Sequence, residues 1–176
     1  MNIIINERLA REGKLYLKKE MVDMKLVNQQ RRLITLGLVL LPSFSFAVAE
    51  KPLITMWKSS TCGCCKDWAD HVEKNGFTVK AYTVGNDEIR KKLGMPDQFG
   101  SCHTALIGGY AIEGHVPAKE IKRLLAEKPK AIGLAVPAMP VGSPGMDGPE
   151  YKGRKDPYDV LLIGLNGKPS IYQSYR

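Results

Sequence analysis

The stretch Ser60-Thr61-Cys62-Gly63-Cys64-Cys65-Lys66 decides the fold, because it links an apolar run to a helical one and holds three of the chain's four cysteines. Residues 53–57 before it read as a buried strand, and residues 66–74 after it carry Trp68 and Val72 four apart, the spacing of one helix face. A helix N-terminus favours thiolate over thiol, because it carries partial positive charge and unpaired N–H groups. The stretch is therefore predicted to be a reactive or metal-binding sulfur centre.

The segments that follow predict an α/β domain. Residues 77–83 alternate apolar and polar positions as a half-buried strand does, and Asn86 is placed to cap a short helix that ends at Gly94. Two further apolar runs, 103–107 and 110–113, are separated by a Gly-Gly dipeptide, which is typical of a hairpin with a primed turn.

A third helix is predicted after this hairpin. Pro117 suits a first helical turn, and apolar residues follow with helical spacing at Ile121, Leu124 and Leu125. The order of elements is then β-α-β-α-β-β-α, with the cysteines at the start of the first helix. That combination predicts a thioredoxin-like fold in its short, glutaredoxin-type form.

The C-terminal part of the chain changes character. Residues 133–157 are rich in glycine and proline and predict a long irregular loop, a kind of segment that is usually functional or mobile in a compact domain. Residues 158–163 and 170–175 flank Asn166-Gly167 and predict a β-hairpin. We expect this hairpin to pack onto the sheet or to cover the sulfur centre.

The N-terminal segment is predicted to lie outside the domain. Residues 24–49 have the basic start and apolar run of a secretory signal peptide, and Ala47-Val48-Ala49 suits cleavage near Ala49. The apolar run is interrupted by proline and is too short for a membrane span, although a retained N-terminal anchor is the alternative. Residues 1–23 are interpreted as an over-extended start, which leaves residues 50–176 as an exported, periplasmic domain.

The distribution of charge excludes one class of function. Residues 1–49 carry eight Lys or Arg and four Asp or Glu, so half of the formal net charge of +8 belongs to the predicted export segment. The remaining domain has an ordinary charge balance and no basic block interleaved with aromatic residues, so nucleic-acid binding is not expected. No stable membrane span is expected after signal cleavage.

A second chemical cluster lies at Ser101-Cys102-His103-Thr104, just before the third predicted strand. In thioredoxin-like folds the segment entering that strand lies against the cysteine motif and usually carries a proline, which is missing here. A thiol and an imidazole in its place favour metal coordination over disulfide exchange. His115 is expected to approach the same face, and Met139 and Met146 offer thioethers on the loop. Clustered thiolates are the ligands that Cu(I) selects.

Several alternatives stay open on the residues alone. The spacing of Cys62 and Cys65 suits a thiol–disulfide oxidoreductase, with Cys62 attacking and Cys65 resolving. Structural disulfides in a binding module are another reading, since a bridge from the first cluster to Cys102 would close roughly 40 residues and stabilise the fold by about 3–4 kcal/mol. Zinc is second to copper, because C-x-C-C…C-H does not match two separated pairs of cysteines. His71 is interpreted as a partly buried helix residue.

Four motifs occur in a fixed order along the chain: Thr61-Cys62-Gly63-Cys64-Cys65, Ser101-Cys102-His103-Thr104, Glu113-Gly114-His115-Val116-Pro117 and the segment from Met139 to Met146. Together they resemble the domain-of-unknown-function 411 family, which includes the CopG-type periplasmic copper-handling proteins. The resemblance runs from Pro52 to the C-terminus. Ala138 is a departure, at a position where the family usually has glycine.

This resemblance implies a thioredoxin-like periplasmic protein of bacterial copper resistance, with interconversion of Cu(I) and Cu(II) as one option. It carries ligand roles over to Cys62, Cys64, Cys65, Cys102 and His103, and also to His115. Met139 and Met146 are predicted to be supplementary ligands because of their chemistry. Periplasmic copper donors or acceptors are the expected partners, and whether the protein is a copper or thiol oxidoreductase stays open.

Overall fold

The computed structural model describes residues 50–176. The predictions for residues 1–23 and 24–49, an over-extended start and a signal peptide, lie outside the described residues. Within residues 50–176, no helix has the length and apolar character needed to cross a membrane.

The described part of the chain is built on one mixed sheet of seven strands, in the order β2-β1-β3-β4-β5-β6-β7. β1 pairs with β2 and β4 pairs with β5 in parallel, and the other neighbouring pairs are antiparallel. The strands are β1 Leu53–Lys58, β2 Thr78–Tyr82, β3 His103–Ile107, β4 Tyr110–Gly114, β5 Ala131–Val136, β6 Tyr158–Gly164 and β7 Pro169–Tyr175.

Helices lie between the strands in the predicted places. They are α1 Gly63–Lys74, α2 Asp87–Lys92 and α3 Ala118–Glu127, with short 3₁₀ turns at Asp97–Phe99 and Pro149–Tyr151. The α-helices and strands from β1 to α3 follow the order β-α-β-α-β-β-α, so the α/β prediction is confirmed. α1 begins at Gly63 instead of residue 66, which places Cys62 at its N-cap.

The main core joins α1 and α3 to the strands. Trp68 and Val72 of α1 and Ile121 and Leu124 of α3 are fully buried in it, as their helical spacing predicts. Burial of one such side chain stabilises the fold by about 1.5–3 kcal/mol, so both helices are firmly held against the sheet. The N-terminus of α1, where the cysteines lie, is fixed as a result.

Two hydrogen bonds also join α1 to the segment that leads into α3. The Trp68 Nε1–H donates to the Val116 carbonyl at 2.9 Å, and His71 Nε2 accepts the Ala118 backbone N–H at 3.1 Å. The Ala118 N–H is one of the donors that a helix N-terminus leaves unpaired, so His71 caps α3. His71 is thus a half-buried helix residue, as predicted, with a capping role that its sequence position did not reveal.

The prediction of an irregular loop over residues 133–157 is wrong at its beginning. Ala131–Val136 form β5, which lies between β4 and β6 and has four buried residues. A Cβ at Gly133 would overlap the carbonyl oxygen of Ala111 on β4. This glycine therefore permits close approach of two strands and does not mark a turn. The irregular segment runs from residue 137 to residue 157.

The C-terminal hairpin forms as predicted from β6 and β7. Of the two expected placements, the structure shows one with the sheet: β6 pairs with β5, so the hairpin extends the sheet at its edge. Backbone groups at the edge of β5 need partners, and β6 supplies them. The hairpin also contacts α3, where the Tyr175 hydroxyl donates to Glu120 at 3.0 Å and Arg123 stacks on the ring of Tyr172.

Candidate metal centre

Three cysteines lie where the chain passes from β1 into α1. Cys62 and Cys65 are joined by a disulfide, and their Cα atoms are 5.5 Å apart. Cys64 and Cys102 are free thiols, and the Sγ of Cys64 lies 3.6 Å from the Sγ of Cys62. A disulfide between the first cluster and Cys102 was one alternative. It is not formed, because Cys102 is a free thiol.

The structure brings the two cysteine clusters together. β3 runs antiparallel to β1 with His103 opposite Lys58, so Cys102 stands beside the end of β1, where the first cluster begins. All four Sγ atoms lie within 4.8 Å of one another. We call this set the sulfur group: Cys62, Cys64, Cys65 and Cys102.

His115 follows β4 and directs its ring toward Cys102. Its Nε2 lies 3.0 Å from the Sγ of Cys102, and its Nδ1 lies 2.8 Å from the carbonyl oxygen of Pro144. A carbonyl only accepts hydrogen bonds, so Nδ1 carries the proton and Nε2 presents its lone pair to the thiol. A main-chain carbonyl that fixes the tautomer in this way is common behind metal-binding histidines.

His103, the first residue of β3, is fully buried beside the same thiol. Its Nδ1 lies 3.5 Å from the Sγ of Cys102, and its Nε2 has no hydrogen-bond partner among the described residues. Its ring centroid is 4.4 Å from that of Trp68 and 5.3 Å from that of His115. A buried ring nitrogen without a partner is costly, and a metal ion would satisfy it.

Cys102 and the two histidines form a second set of potential ligands. Their donor atoms also lie within 4.8 Å of one another. We call this set the imidazole group: Cys102, His103 and His115. Because Cys102 belongs to both sets, the sulfur group and the imidazole group are contiguous.

Burial keeps the imidazole group uncharged near neutral pH. It raises the pKa of the Cys102 thiol to about 12, and the nearby Cys64 adds to the rise. It also lowers the pKa of His115, and it sets the pKa of His103 well below the ordinary value, with His115 adding to that effect. Neutral imidazole is the form that binds a metal ion, and a bound cation would offset the cost of ionising the thiol.

The irregular segment lies directly against the first turn of α1. A Cβ at Gly145 would come within 2.7 Å of the Cys64 carbonyl oxygen and of the Trp68 nitrogen, so only glycine fits this approach. Met139 Sδ lies 4.0 Å from Cys64 Sγ, whereas Met146 Sδ accepts the Tyr151 hydroxyl at 3.4 Å. Of the two predicted thioethers, Met139 is therefore the one placed at the cysteines.

A buried ion pair behind the centre escaped the sequence analysis. Glu113 is fully buried and accepts a hydrogen bond from Arg90 Nε at 2.9 Å. Its carboxylate also accepts the Ser101 backbone N–H at 2.7 Å and the Thr104 hydroxyl at 2.6 Å. Glu113 therefore ties the segment of Cys102 to β4, which leads to His115. The only sequence signal was one acidic residue inside the apolar run of a predicted strand.

Ser101 links two further segments around the centre. Its hydroxyl donates to the Ala138 carbonyl at 2.6 Å, and its own carbonyl accepts the Asn86 side-chain amide at 3.2 Å. Asn86 precedes α2 as predicted, but its side chain makes no capping hydrogen bond and bonds this carbonyl and the Thr104 hydroxyl instead. The loop that carries Met139 is thereby joined to the residue beside Cys102.

Comparisons with known proteins give two kinds of match. Residues 99–146 match a family model described as protein of unknown function, DUF411. The solved structure of a copper resistance protein copG, form 1, is 42% identical with a TM-score of 0.66, and the match covers 72% of this chain and 98% of that chain. Form 2 of a protein with the same description is 41% identical with a TM-score of 0.66, covering 72% and 100%. A comparison with curated proteins gives no match.

Proposed function

This chain belongs to the DUF411 family of CopG-type copper resistance proteins, and from that membership we propose that it binds Cu(I) in bacterial copper resistance or homeostasis. The observation that carries the proposal is the convergence of six donor residues from three separate segments: Cys62, Cys64, Cys65, Cys102, His103 and His115. A centre of this kind is not needed to stabilise a sheet that already has a large apolar core.

The donor set fits copper. Thiolate and thioether sulfur together with imidazole are the ligands that Cu(I) prefers, and the histidines are held neutral by burial. Zinc, the second metal, also binds thiolate and imidazole but takes a closed tetrahedral set. The six clustered donors exceed such a set, and the two similar solved structures are of copper resistance proteins.

The redox state of the centre decides which sulfur atoms can bind the ion. With the Cys62–Cys65 disulfide closed, the thiols are Cys64 and Cys102. Reduction adds two more thiols within the same 4.8 Å cluster. Since the thiolate is the metal ligand, the reduced protein is the tighter Cu(I) binder in this proposal.

Met139 and Met146 are proposed as supplementary ligands on unequal grounds. Met139 already contacts Cys64, whereas Met146 would have to leave the Tyr151 hydroxyl before it could bind the ion. The Met139 thioether is therefore the better supported of the two.

A thiol–disulfide oxidoreductase is the second candidate, and the Cys62–Cys65 disulfide favours it. Closing that disulfide releases two electrons and two protons, enough to reduce either one disulfide of another protein or two Cu(II) ions to Cu(I). A metal-independent oxidoreductase should reduce the disulfides of insulin without copper. Absence of turnover by the reduced, metal-free protein would exclude that candidate.

The thioredoxin-like fold and the export of the protein are parts of the same proposal. The parallel pair β1–β2, the antiparallel pairs β1–β3 and β3–β4, and the cysteines at the start of α1 support the fold assignment. Residues 24–49 are proposed to act as the signal peptide that delivers residues 50–176 to the periplasm. N-terminal sequencing of the protein from a periplasmic fraction should begin near Glu50, and retention of residues 24–49 would contradict this.

Copper titration of the fully reduced protein tests the main proposal. The double variant Cys64→Ser, Cys65→Ser should bind Cu(I) at least about 100-fold more weakly, because even the outer partners of metal ligands are worth roughly 10–100-fold. Chelator competition measures the affinity, and a parallel titration with Zn(II) decides between the two metals. Equal Cu(I) affinity of the variant and the wild type would show the proposal to be wrong.

A matched control lies next to these cysteines. Lys66 makes an exposed ion pair with Asp70, and such a pair contributes little to stability. Lys66→Gln should therefore leave the Cu(I) affinity unchanged, which separates the loss of sulfur from a disturbance of the first turn of α1.

A further inference from the structure

We propose that Met139 is the ligand through which Cu(I) enters and leaves the sulfur group, exchanging the ion with Cys64. The inference rests on the proposed function, since a protein that binds no copper has no ion to exchange. It gives Met139 a role in the rate of copper transfer, in addition to the supplementary ligation predicted from its sequence.

The exposure of the donor residues decreases from the surface inward. Met139 is 48% exposed and Cys64 is half-buried, while Cys65, His103 and His115 are fully buried. A copper ion that arrives from solvent therefore meets the Met139 thioether before it reaches the buried donors. The next step is short, because 4.0 Å separates Met139 Sδ from Cys64 Sγ.

The backbone on both sides of Met139 is anchored. The carbonyl of Ala138 accepts the Ser101 hydroxyl at 2.6 Å, and the carbonyl of Pro140 accepts the Ser143 hydroxyl at 2.7 Å and the Ser143 N–H at 3.1 Å. Ser143 is itself fully buried. The backbone that carries the exposed Met139 side chain is therefore held close to the cysteines.

A pocket of about 370 Å³ opens beside the same side chain. Residues 137–140 line one side, and Pro157, Tyr158 and Leu161 line the other. The volume lies at the lower end of the range for small-molecule sites, so it has room for a small chelator or for one side chain of a copper donor. A copper complex seated there would bring its ion next to the Met139 thioether.

The chemistry of a thioether suits transfer. It is a neutral soft ligand with no proton to lose, so it can bind Cu(I) without prior deprotonation. A bond forms between Met139 Sδ and Cu(I) as one ligand of the donor complex leaves. The Sγ of Cys64 then binds the ion and releases its proton to solvent, as the last ligand of the donor complex leaves. The bond between Met139 Sδ and Cu(I) breaks as the ion passes to the other cysteines, and release follows the same steps in reverse. Copper stays as Cu(I) throughout, so no electron is transferred.

Met146 provides the internal comparison. It is a methionine of the same loop and is half-buried, and its sulfur accepts the Tyr151 hydroxyl at 3.4 Å. That sulfur is engaged away from Cys64, so Met146 is not expected to take part in exchange. Leucine replaces either methionine with a side chain of similar size that lacks sulfur.

The test is stopped-flow transfer of Cu(I) between a coloured bis-chelate complex and the fully reduced protein, in both directions. The equilibrium affinity is measured in parallel by chelator competition. Met139→Leu should slow both uptake and release by roughly tenfold, the effect of ~1.4 kcal/mol on the barrier. The affinity should fall by much less, about twofold at most, because the cysteines hold the ion at equilibrium and the thioether is only a supplementary ligand. Met146→Leu should keep both rates of the wild type, because its sulfur is engaged by the Tyr151 hydroxyl away from Cys64.

Each contrary result has a distinct meaning. Wild-type rates in Met139→Leu would overturn this inference and leave the proposed function standing. A loss of affinity that equals the loss in uptake, with release unchanged, would show a resident ligand and would also overturn it. Failure of the wild-type protein to take up Cu(I) at equilibrium would overturn the proposed function itself, and this inference with it.

Discussion

The sulfur group and the imidazole group share Cys102 but differ in how the fold holds them. The sulfur group lies at the first turn of α1, is partly exposed, and contains the Cys62–Cys65 disulfide. The imidazole group has two fully buried rings, one with its tautomer fixed by a carbonyl, and the buried pair Glu113–Arg90 lies behind it. The protein thus places a partly exposed, disulfide-containing set of potential ligands beside a buried set that hydrogen bonds hold in place.

Removal of the Glu113 charge behind the imidazole group should have the largest effect, a fall in the free energy of unfolding. Glu113→Gln keeps the shape of the side chain but leaves the buried Arg90 without its internal carboxylate, and a broken buried pair costs roughly 3–5 kcal/mol. Urea denaturation of the metal-free protein measures the change in the free energy of unfolding.

Asp87 offers a matched control, since it is the exposed partner of the same guanidinium at 2.9 Å. Asp87→Asn should cost no more than about 1 kcal/mol, as is usual for a solvent-exposed pair. If both variants lose the same stability, the buried carboxylate is not what holds the imidazole group.

The second-largest effect is expected from loss of the Cys102 thiol, which both groups share. It should lower the Cu(I) affinity more than the loss of a thiol from one group does. Cys102→Ser removes one donor from each group, so we expect a loss in Cu(I) affinity of more than about 100-fold. Cys64→Ser removes a donor from the sulfur group alone and should cost less. Chelator competition on reduced protein compares them, and a larger loss in Cys64→Ser would contradict the central position of Cys102.

The hydrogen bond from the Ala118 N–H of α3 to His71 of α1 should make the stability depend on pH. Burial lowers the pKa of His71 from 6.5, so below that pH the unfolded chain takes up a proton that the folded protein does not. The free energy of unfolding therefore falls as pH decreases below 6.5, and His103 and His115 act in the same direction. His71→Gln keeps an acceptor for the Ala118 N–H but removes the titrating group. The slope of the free energy of unfolding against pH should therefore fall by less than about 1.4 kcal/mol per pH unit, the limit for one proton. An unchanged slope in urea denaturation between neutral pH and acid would contradict the assignment.

A small gain in stability is expected from a substitution in the loop that contacts the first turn of α1. Ala138 has a φ of 61°, a left-handed conformation that costs a residue with a side chain about 1–2 kcal/mol. Ala138→Gly relieves this cost but gives the unfolded chain more freedom, worth ~0.4–1 kcal/mol, so a net gain between about 0 and 1.6 kcal/mol should appear in thermal unfolding. Ala135→Gly, at a fully buried position in β5, should be destabilising instead.

Local patterns predicted much of the domain. The spacing of Trp68 and Val72 predicted the buried face of α1, and Gly108-Gly109, with φ of 55° and 86°, forms the predicted turn between β3 and β4. The closeness of Cys102 to the first cluster was also within reach, because it depends on which strand lies beside β1. Each of these features is set by residues near one another in the chain or by a common order of elements.

The errors and omissions arise from contacts between distant segments. Gly133 was predicted to be a loop residue. It is glycine because a side chain would overlap Ala111 of the neighbouring strand, and the sequence does not show that contact. The carbonyl of Pro144 fixes the tautomer of His115, and a main-chain group leaves no mark in the sequence. Met139 and Met146 were equivalent as motif residues, and their contacts in the fold separate them: Met139 with Cys64, and Met146 with Tyr151.

The position of Trp68 supplies an optical reporter of the imidazole group. Its indole ring centroid lies 4.4 Å from that of His103, close enough for a metal ion on that ring to quench its fluorescence. The other tryptophan of the chain, Trp57, stacks on Tyr82. Trp57→Phe would leave a single emitting indole, so that the intensity of one band follows occupancy of the buried histidines without any added dye.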